Sequence, residues 1–191
     1  MDLSGRLIKG TGSYEIKELA SQDSVLNHLD KGSKHLECTV AGTVAFKSDQ
    51  VYGEWEFDVY KGADGNNVGV QIISPDFTPL ASTCYQLRLV STEAIGLYDG
   101  ASGYIALTAN SYIVINTWYR IKVTRTPDGE FTVFIKGGTF GSDDWTIVDV
   151  GGGIGTNPIV DISHITTKYF LFDLDAGDRI TNIIMRNAVQ Q

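Results

Sequence analysis

Apolar and polar residues alternate one by one along much of this chain. From Glu54 to Tyr60, Trp55, Phe57 and Val59 share one side, and Glu54, Glu56, Asp58 and Tyr60 share the other. From Trp118 to Arg125, Tyr119, Ile121 and Val123 oppose Arg120, Lys122 and Thr124. Phe131, Val133 and Ile135 oppose Thr132, Phe134 and Lys136, and Phe170, Phe172 and Leu174 oppose Tyr169, Leu171, Asp173 and Asp175. A period of two is the pleat of a strand with one buried face. Tyr14–Leu19, Leu36–Phe46, Val68–Ser74, Tyr85–Val90, Ala94–Tyr98, Tyr104–Thr108, Trp145–Val150 and Ile180–Arg186 add further strands, about a dozen in all.

Turn residues fall between these runs. In Thr126-Pro127-Asp128-Gly129, Pro presets φ and Gly supplies a positive φ, so Trp118–Arg125 and Glu130–Lys136 form a hairpin. Ala63–Asn67, Gly137-Gly138, Gly151–Gly153 and Asp175–Asp178 mark other turns and loops. The one helical candidate is Ser24–Asp30, stopped by Gly32. No repeat or linker interrupts the pattern. Many short strands at this spacing predict an all-β, antiparallel β-sandwich in one domain over residues 14–191. Residues 1–13 precede it as an N-terminal arm or a first strand, with Met1–Gly12 a candidate attachment arm.

Composition narrows the partners. With 191 residues, 42% of them hydrophobic, the chain can bury a core without a staple. Its 21 Gly, 4 Pro, 9 Tyr and 8 Phe suit a turn-rich β protein. The formal charge is −8, with 15 basic residues scattered among 23 acidic ones, which makes nucleic acid and an anionic membrane poor partners and favours a neutral ligand or another protein. Met1-Asp2-Leu3-Ser4 lacks the basic start and apolar run of a secretory signal. Cys38 and Cys84 read as two buried thiols, with pairing as the alternative.

Candidate chemistry is sparse. Gly151-Gly152-Gly153-Ile154-Gly155 lacks the lysine of a phosphate loop. His28, His35 and His164 are dispersed, and neither a metal-ligand spacing nor a Gly-x-Ser-x-Gly elbow occurs, so no metal and no cofactor is expected. Glu54, Glu56 and Asp58 share a strand face, with neighbours about 6.5–7 Å apart, within the range of glycosidase carboxyl pairs. Their plainer reading is the solvated outer side of a half-buried strand. Asp173, Asp175 and Asp178 suggest oxygen ligands for Ca²⁺, or the capping of a turn. Tyr98, Trp118 and Trp145, near strand ends or loops, are the candidate carbohydrate-binding residues, as aromatic platforms for sugar rings; packing is the alternative.

Trp118-Tyr119-Arg120-Ile121-Lys122-Val123-Thr124-Arg125, Pro127-Asp128-Gly129 and Phe131–Gly138 resemble the hairpin of laminin-G-like and concanavalin A-like jelly rolls. Tyr52-Gly53-Glu54-Trp55-Glu56-Phe57-Asp58-Val59-Tyr60-Lys61 is similar to the frame strand of that superfamily, which includes laminarinase-type glycosidases. Their Glu-x-Asp-x-x-Glu motif would place its second glutamate at Lys61, so the resemblance implies a non-catalytic protein. Together with Gly155-Thr156-Asn157-Pro158 and Tyr169–Ile180, these segments resemble jelly-roll proteins of tailed bacteriophages. That likeness implies a structural or adhesion protein of the virion (capsid decoration, head fibre or tail), partnered by other virion proteins, by polysaccharide or by further copies of itself. The rival expectations are a cellular carbohydrate-binding module or lectin, and a divergent glycosidase using Glu56 and Asp58.

Overall fold

A computed structural model describes residues 7–9, 11–18 and 34–187. Sixteen strands follow in chain order: β1 (Leu7–Lys9), β2 (Ser13–Glu18), β3 (Lys34–Val40), β4 (Gly42–Lys47), β5 (Gly53–Tyr60), β6 (Val68–Ser74), β7 (Tyr85–Leu89) and β8 (Ile95–Asp99). Then come β9 (Gly103–Leu107), β10 (Trp118–Arg125), β11 (Glu130–Lys136), β12 (Thr146–Ile147), β13 (Ile154–Gly155), β14 (Ile159–Val160), β15 (Tyr169–Leu174) and β16 (Arg179–Asn187). The only helix among the described residues is a 3-10 turn at Gly138–Phe140, too short to cross a membrane.

All pairings are antiparallel and build two sheets. The first runs β1-β4-β15-β6-β7-β8-β9-β13, and the second β12-β11-β10-β5-β16-β3-β2, with β14 added to β11. Their inner faces meet in one core, an antiparallel β-sandwich of the jelly-roll type. The alternation assigns the faces correctly: Trp55, Phe57 and Val59 of β5 meet Phe170 and Phe172 of β15, with Phe57 ring centres 6.1 and 5.6 Å from those two. Each such fully buried side chain contributes about 1.5–3 kcal/mol.

Two expectations change, and a third settles on one of its two alternatives. Leu36–Phe46 is two strands, because the chain leaves the second sheet after Val40 and enters the first at Gly42. Trp145–Val150 keeps only Thr146–Ile147 as strand, since it lies at a sheet edge with one partner. Within the N-terminal stretch, Leu7–Lys9 pairs with β4 and is strand. The Ser24–Asp30 helix lies outside the described residues.

Cys38 and Cys84 are buried thiols, not paired in a disulfide. Burial pushes the Cys84 thiol up to about 11, so it stays protonated and inert at neutral pH.

The Asp175–Asp178 turn locks the two sheets together at one end. Gly177 takes φ +93° there, and its carbonyl lies so close over Gly62 that no Cβ fits. Asp178 is fully buried and accepts from the Gly62 N–H at 2.8 Å and the Asp175 N–H at 2.8 Å. This is the capping role, and among the described residues no group of three or more His, Cys, Asp or Glu is placed to hold a metal. Burial outweighs the two N–H donors and raises the Asp178 carboxyl to about 6. The folded protein therefore binds this proton more tightly than the unfolded chain. Its contribution to stability is present below pH ~4 and fades as the pH rises through 6. In Asp178→Asn, urea midpoints compared from pH 4 to 7 should lose this component; an unchanged pH profile would refute the assignment.

Candidate functional site

The carboxylates of β5 do not face open water. Asp58 is fully buried and Glu56 is 8% exposed. Strand pairing brings Arg120 opposite Asp58 and Arg186 opposite Glu54. One Glu56 oxygen accepts from Arg120 Nη2 at 2.5 Å and the other from Arg186 Nη1 at 3.1 Å; Arg186 also pairs with Glu54. A bulge in β16 at Asn182, with φ 50°, turns its amide to donate to Asp58 Oδ2 at 2.6 Å. The solvated-face expectation is thus corrected for Glu56 and Asp58: the face is a carboxylate–guanidinium ladder, buried there and open to water at its Glu54–Arg186 end. Neither Glu56 oxygen is left over to serve a leaving group, and Asp58 is out of a substrate's reach. Lys61, at the position of the missing glutamate, is 1% exposed, with its ammonium on Glu93 at 2.7 Å and the Ala63 carbonyl at 2.8 Å.

The three aromatic candidates separate. Trp118 is 1% exposed, its ring against Tyr60 at 5.5 Å and His35 at 5.8 Å. It cannot stack on a ligand, which corrects its assignment as a sugar platform. Trp145 is half-buried on the outer side of the second sheet, with Lys122 and Lys136 ammonium groups 4.6 and 4.8 Å from the ring centre. Tyr98 lies across the sandwich, on the outer side of the first sheet.

That outer side holds the best-formed site. Tyr85, Leu87 and Leu89 of β7 enter the core, so Gln86 and Arg88 point out. By the same alternation β6 presents Gly69 and Gln71, β8 presents Gly96 and Tyr98, β9 presents Tyr104, and β15 presents Asp173. Two glycines make a floor: a Cβ on Gly69 would run into the Gln86 amide, and one on Gly96 would fall 2.7 Å from the Tyr104 ring. Tyr98 and Tyr104 stand edge to face at 5.1 Å, and the Arg88 guanidinium leans on both, at 5.3 and 5.8 Å. Thr43 donates a hydrogen bond to Asp173, whose carboxyl is pushed up by burial and by Asp175.

Two neighbouring glutamines show what is unusual. Gln71 is fully used: its Oε1 accepts from the Leu80 N–H at 2.7 Å and its Nε2 donates to Ser74 Oγ at 2.9 Å, holding the Asp76–Leu80 loop. Gln86, directly across from it, is 1% exposed, and neither Oε1 nor Nε2 has a partner. A buried amide left unpaired costs about 1–3 kcal/mol per group. Sequence reasoning missed Gln86 and Arg88. Alternation marks both as outward, but nothing local in the chain shows that they lack partners.

A second buried network holds the loop before β15. Arg125, 1% exposed, donates to the carbonyls of His164 at 2.8 Å, Asp161 at 3.0 Å and Val51 at 3.3 Å. His164 Nε2 meets Asp99 Oδ1 at 2.8 Å, and Tyr85 donates to Asp161. Burial raises the Tyr85 hydroxyl to about 12. Burial also acts to raise Asp99, but the bonds from His164, Ala101 and Ser102 outweigh it and hold that carboxyl below its usual value. These groups tie the loop down and leave no face open to a ligand.

No family model matches the chain, and no curated protein does. Solved structures share its fold. The T. cruzi calreticulin globular domain aligns over 97% of this chain and 85% of its own, with a TM-score of 0.53 and 14% identity. The "Putative glycosyl hydrolase" of Parabacteroides distasonis aligns over 80% and 86%, with a TM-score of 0.52 and 13% identity. At such identities the likeness is one of fold, an antiparallel β-sandwich of the jelly-roll type.

Proposed function

We propose that this protein is a non-catalytic glycan-binding sandwich, and that the outer side of the first sheet, at Gln86, Arg88, Tyr98 and Tyr104, is its binding face. The observation that carries this is the Gln86 amide, buried with both ends unpaired on a glycine floor beside two tyrosines. A sugar hydroxyl both donates and accepts, so a diol edge satisfies such an amide once the half-buried Arg88 and Tyr98 beside it shift to admit it, while a tyrosine ring packs on the apolar face of the sugar. From β6 to β9 the face spans three strand spacings, about 14 Å, enough for one or two sugar units. Among the fold neighbours, the Parabacteroides distasonis protein is named a "Putative glycosyl hydrolase", which agrees with the reading as an analogy of fold alone. Non-catalysis is supported by the closed ladder around Glu56 and by the lysine at position 61. The virion setting, with capsid or fibre proteins as partners, is proposed from the motif resemblance alone; mass spectrometry of purified particles tests it.

The test pairs binding with stability. On a glycan array the purified protein should bind, and Tyr98→Ala should weaken that binding about tenfold or more. Gln86→Leu should abolish binding yet raise stability by about 1–2 kcal/mol, because it removes an unpaired buried amide. A Gln86→Leu protein that is destabilised and still binds would sink the assignment.

A further inference from the structure

Arg88 differs from its peers. Among the described residues the other four arginines are engaged: Arg120 with Glu56, Arg125 with three carbonyls, Arg179 with Glu37, and Arg186 with Glu54 and Glu56. Arg88 makes no hydrogen bond and no ion pair, although its Nε is buried. Its guanidinium is steadied only by the Tyr98 and Tyr104 rings, 5.3 and 5.8 Å away. Stacking on rings fixes the plane of a guanidinium and leaves its N–H edge free. On a chain of net charge −8, an arginine with no ion pair among the described residues is a specific arrangement; Asp173, on the same face, interacts with it only through space. Asp173, the nearest candidate counter-ion on this face, is instead bonded by Thr43, and it pairs in register with Gly69 rather than with Arg88.

We infer that the glycan bound here is an acidic one, and that Arg88 takes the carboxylate of a sugar acid as a two-pronged pair while Gln86 takes an adjoining hydroxyl. The inference rests on the glycan reading above and narrows its ligand class. A planar fork matches a planar carboxylate, and the pair is strengthened by its partly buried setting. A neutral sugar would use the same amide and tyrosines but leave the fork only partly used. Gly69 and Gly96, on either side of Arg88 in the register, let the Gln86 amide and the Tyr104 ring lie close against the sheet beside the fork.

The experiment is an array of oligosaccharides printed in pairs, each carrying a uronic or sialic acid beside its methyl ester, followed by calorimetry on the best pair. The expected result is acid binding about 10- to 100-fold tighter than ester binding, weakening as NaCl rises. Arg88→Gln should erase the preference, so that acid and ester bind alike, with an unaltered melting temperature as the control for folding. Arg88→Lys should recover only part of the preference, because an ammonium lacks the fork. Equal affinity for acid and ester, or binding of neutral glycans alone, overturns the acidic-ligand inference and leaves the glycan reading standing. Silence across the whole array overturns the glycan reading itself, and the inference with it.

Discussion

Arg125→Ala should cost about 3–5 kcal/mol of unfolding free energy, one of the two largest single effects expected in this sandwich. Its guanidinium, 1% exposed, is the common donor for the carbonyls of Val51, Asp161 and His164, and it packs against Tyr52, Tyr85 and Phe131 at 5.3, 5.0 and 4.8 Å. Truncation leaves three carbonyls without this donor, together with a cavity the size of an arginine. Burial opposes the charge and lowers the Arg125 pKa, so the carbonyls and ring faces must compensate for lost water. Arg125→Lys should recover only part of the loss, because a single ammonium cannot span acceptors on separate segments. Urea unfolding measures the first effect, and limited proteolysis between residues 161 and 168 measures the release of the loop. An Arg125→Ala variant within about 1 kcal/mol of the parent would mean that the network does not hold the loop.

Lys61→Glu rebuilds, on paper, the Glu-x-Asp-x-x-Glu pattern of the laminarinase-type enzymes. The expected outcome is a loss of about 3–5 kcal/mol and no hydrolysis. Position 61 is buried, with Glu93 at 2.7 Å from the ammonium and Asp178 within its electrostatic influence. A carboxylate there meets two like charges and the Ala63 carbonyl without a donor. Glu56 would also remain bound between Arg120 and Arg186, unavailable as a partner in catalysis. Reducing-sugar release from soluble β-glucans, measured beside the urea midpoint, decides the matter. Turnover in the variant would show that the ladder opens and that Lys61 alone keeps the native site silent.

The two effects share a cause. In both, a cation is buried where the local pattern marks only a strand end, and its partners come from distant segments: Glu93 for Lys61, and residues 161 and 164 for Arg125. Arg125 follows the inward parity of Tyr119, Ile121 and Val123, so alternation places it in the core. Alternation does not show what would receive its charge.

Local order in the chain was enough for the strands, their faces and several turns. Trp55, Phe57 and Val59 point inward as their spacing requires, and Gly129 closes the Thr126–Glu130 hairpin at φ +83°. The two thiols are buried, and the Asp178 turn is capped by its own carboxylate. These features depend on neighbours one to four residues away, which a sequence displays directly. Sheet order decided the rest. It set Arg120 and Arg186 over Glu56, closed Trp118 between Tyr60 and His35, split Leu36–Phe46 between two sheets, and left Gln86 and Arg88 without partners beside Tyr98 and Tyr104. Which side a residue faces is a property of its own strand. What it meets on that side depends on strands tens of residues away, and only the folded sheets bring them together.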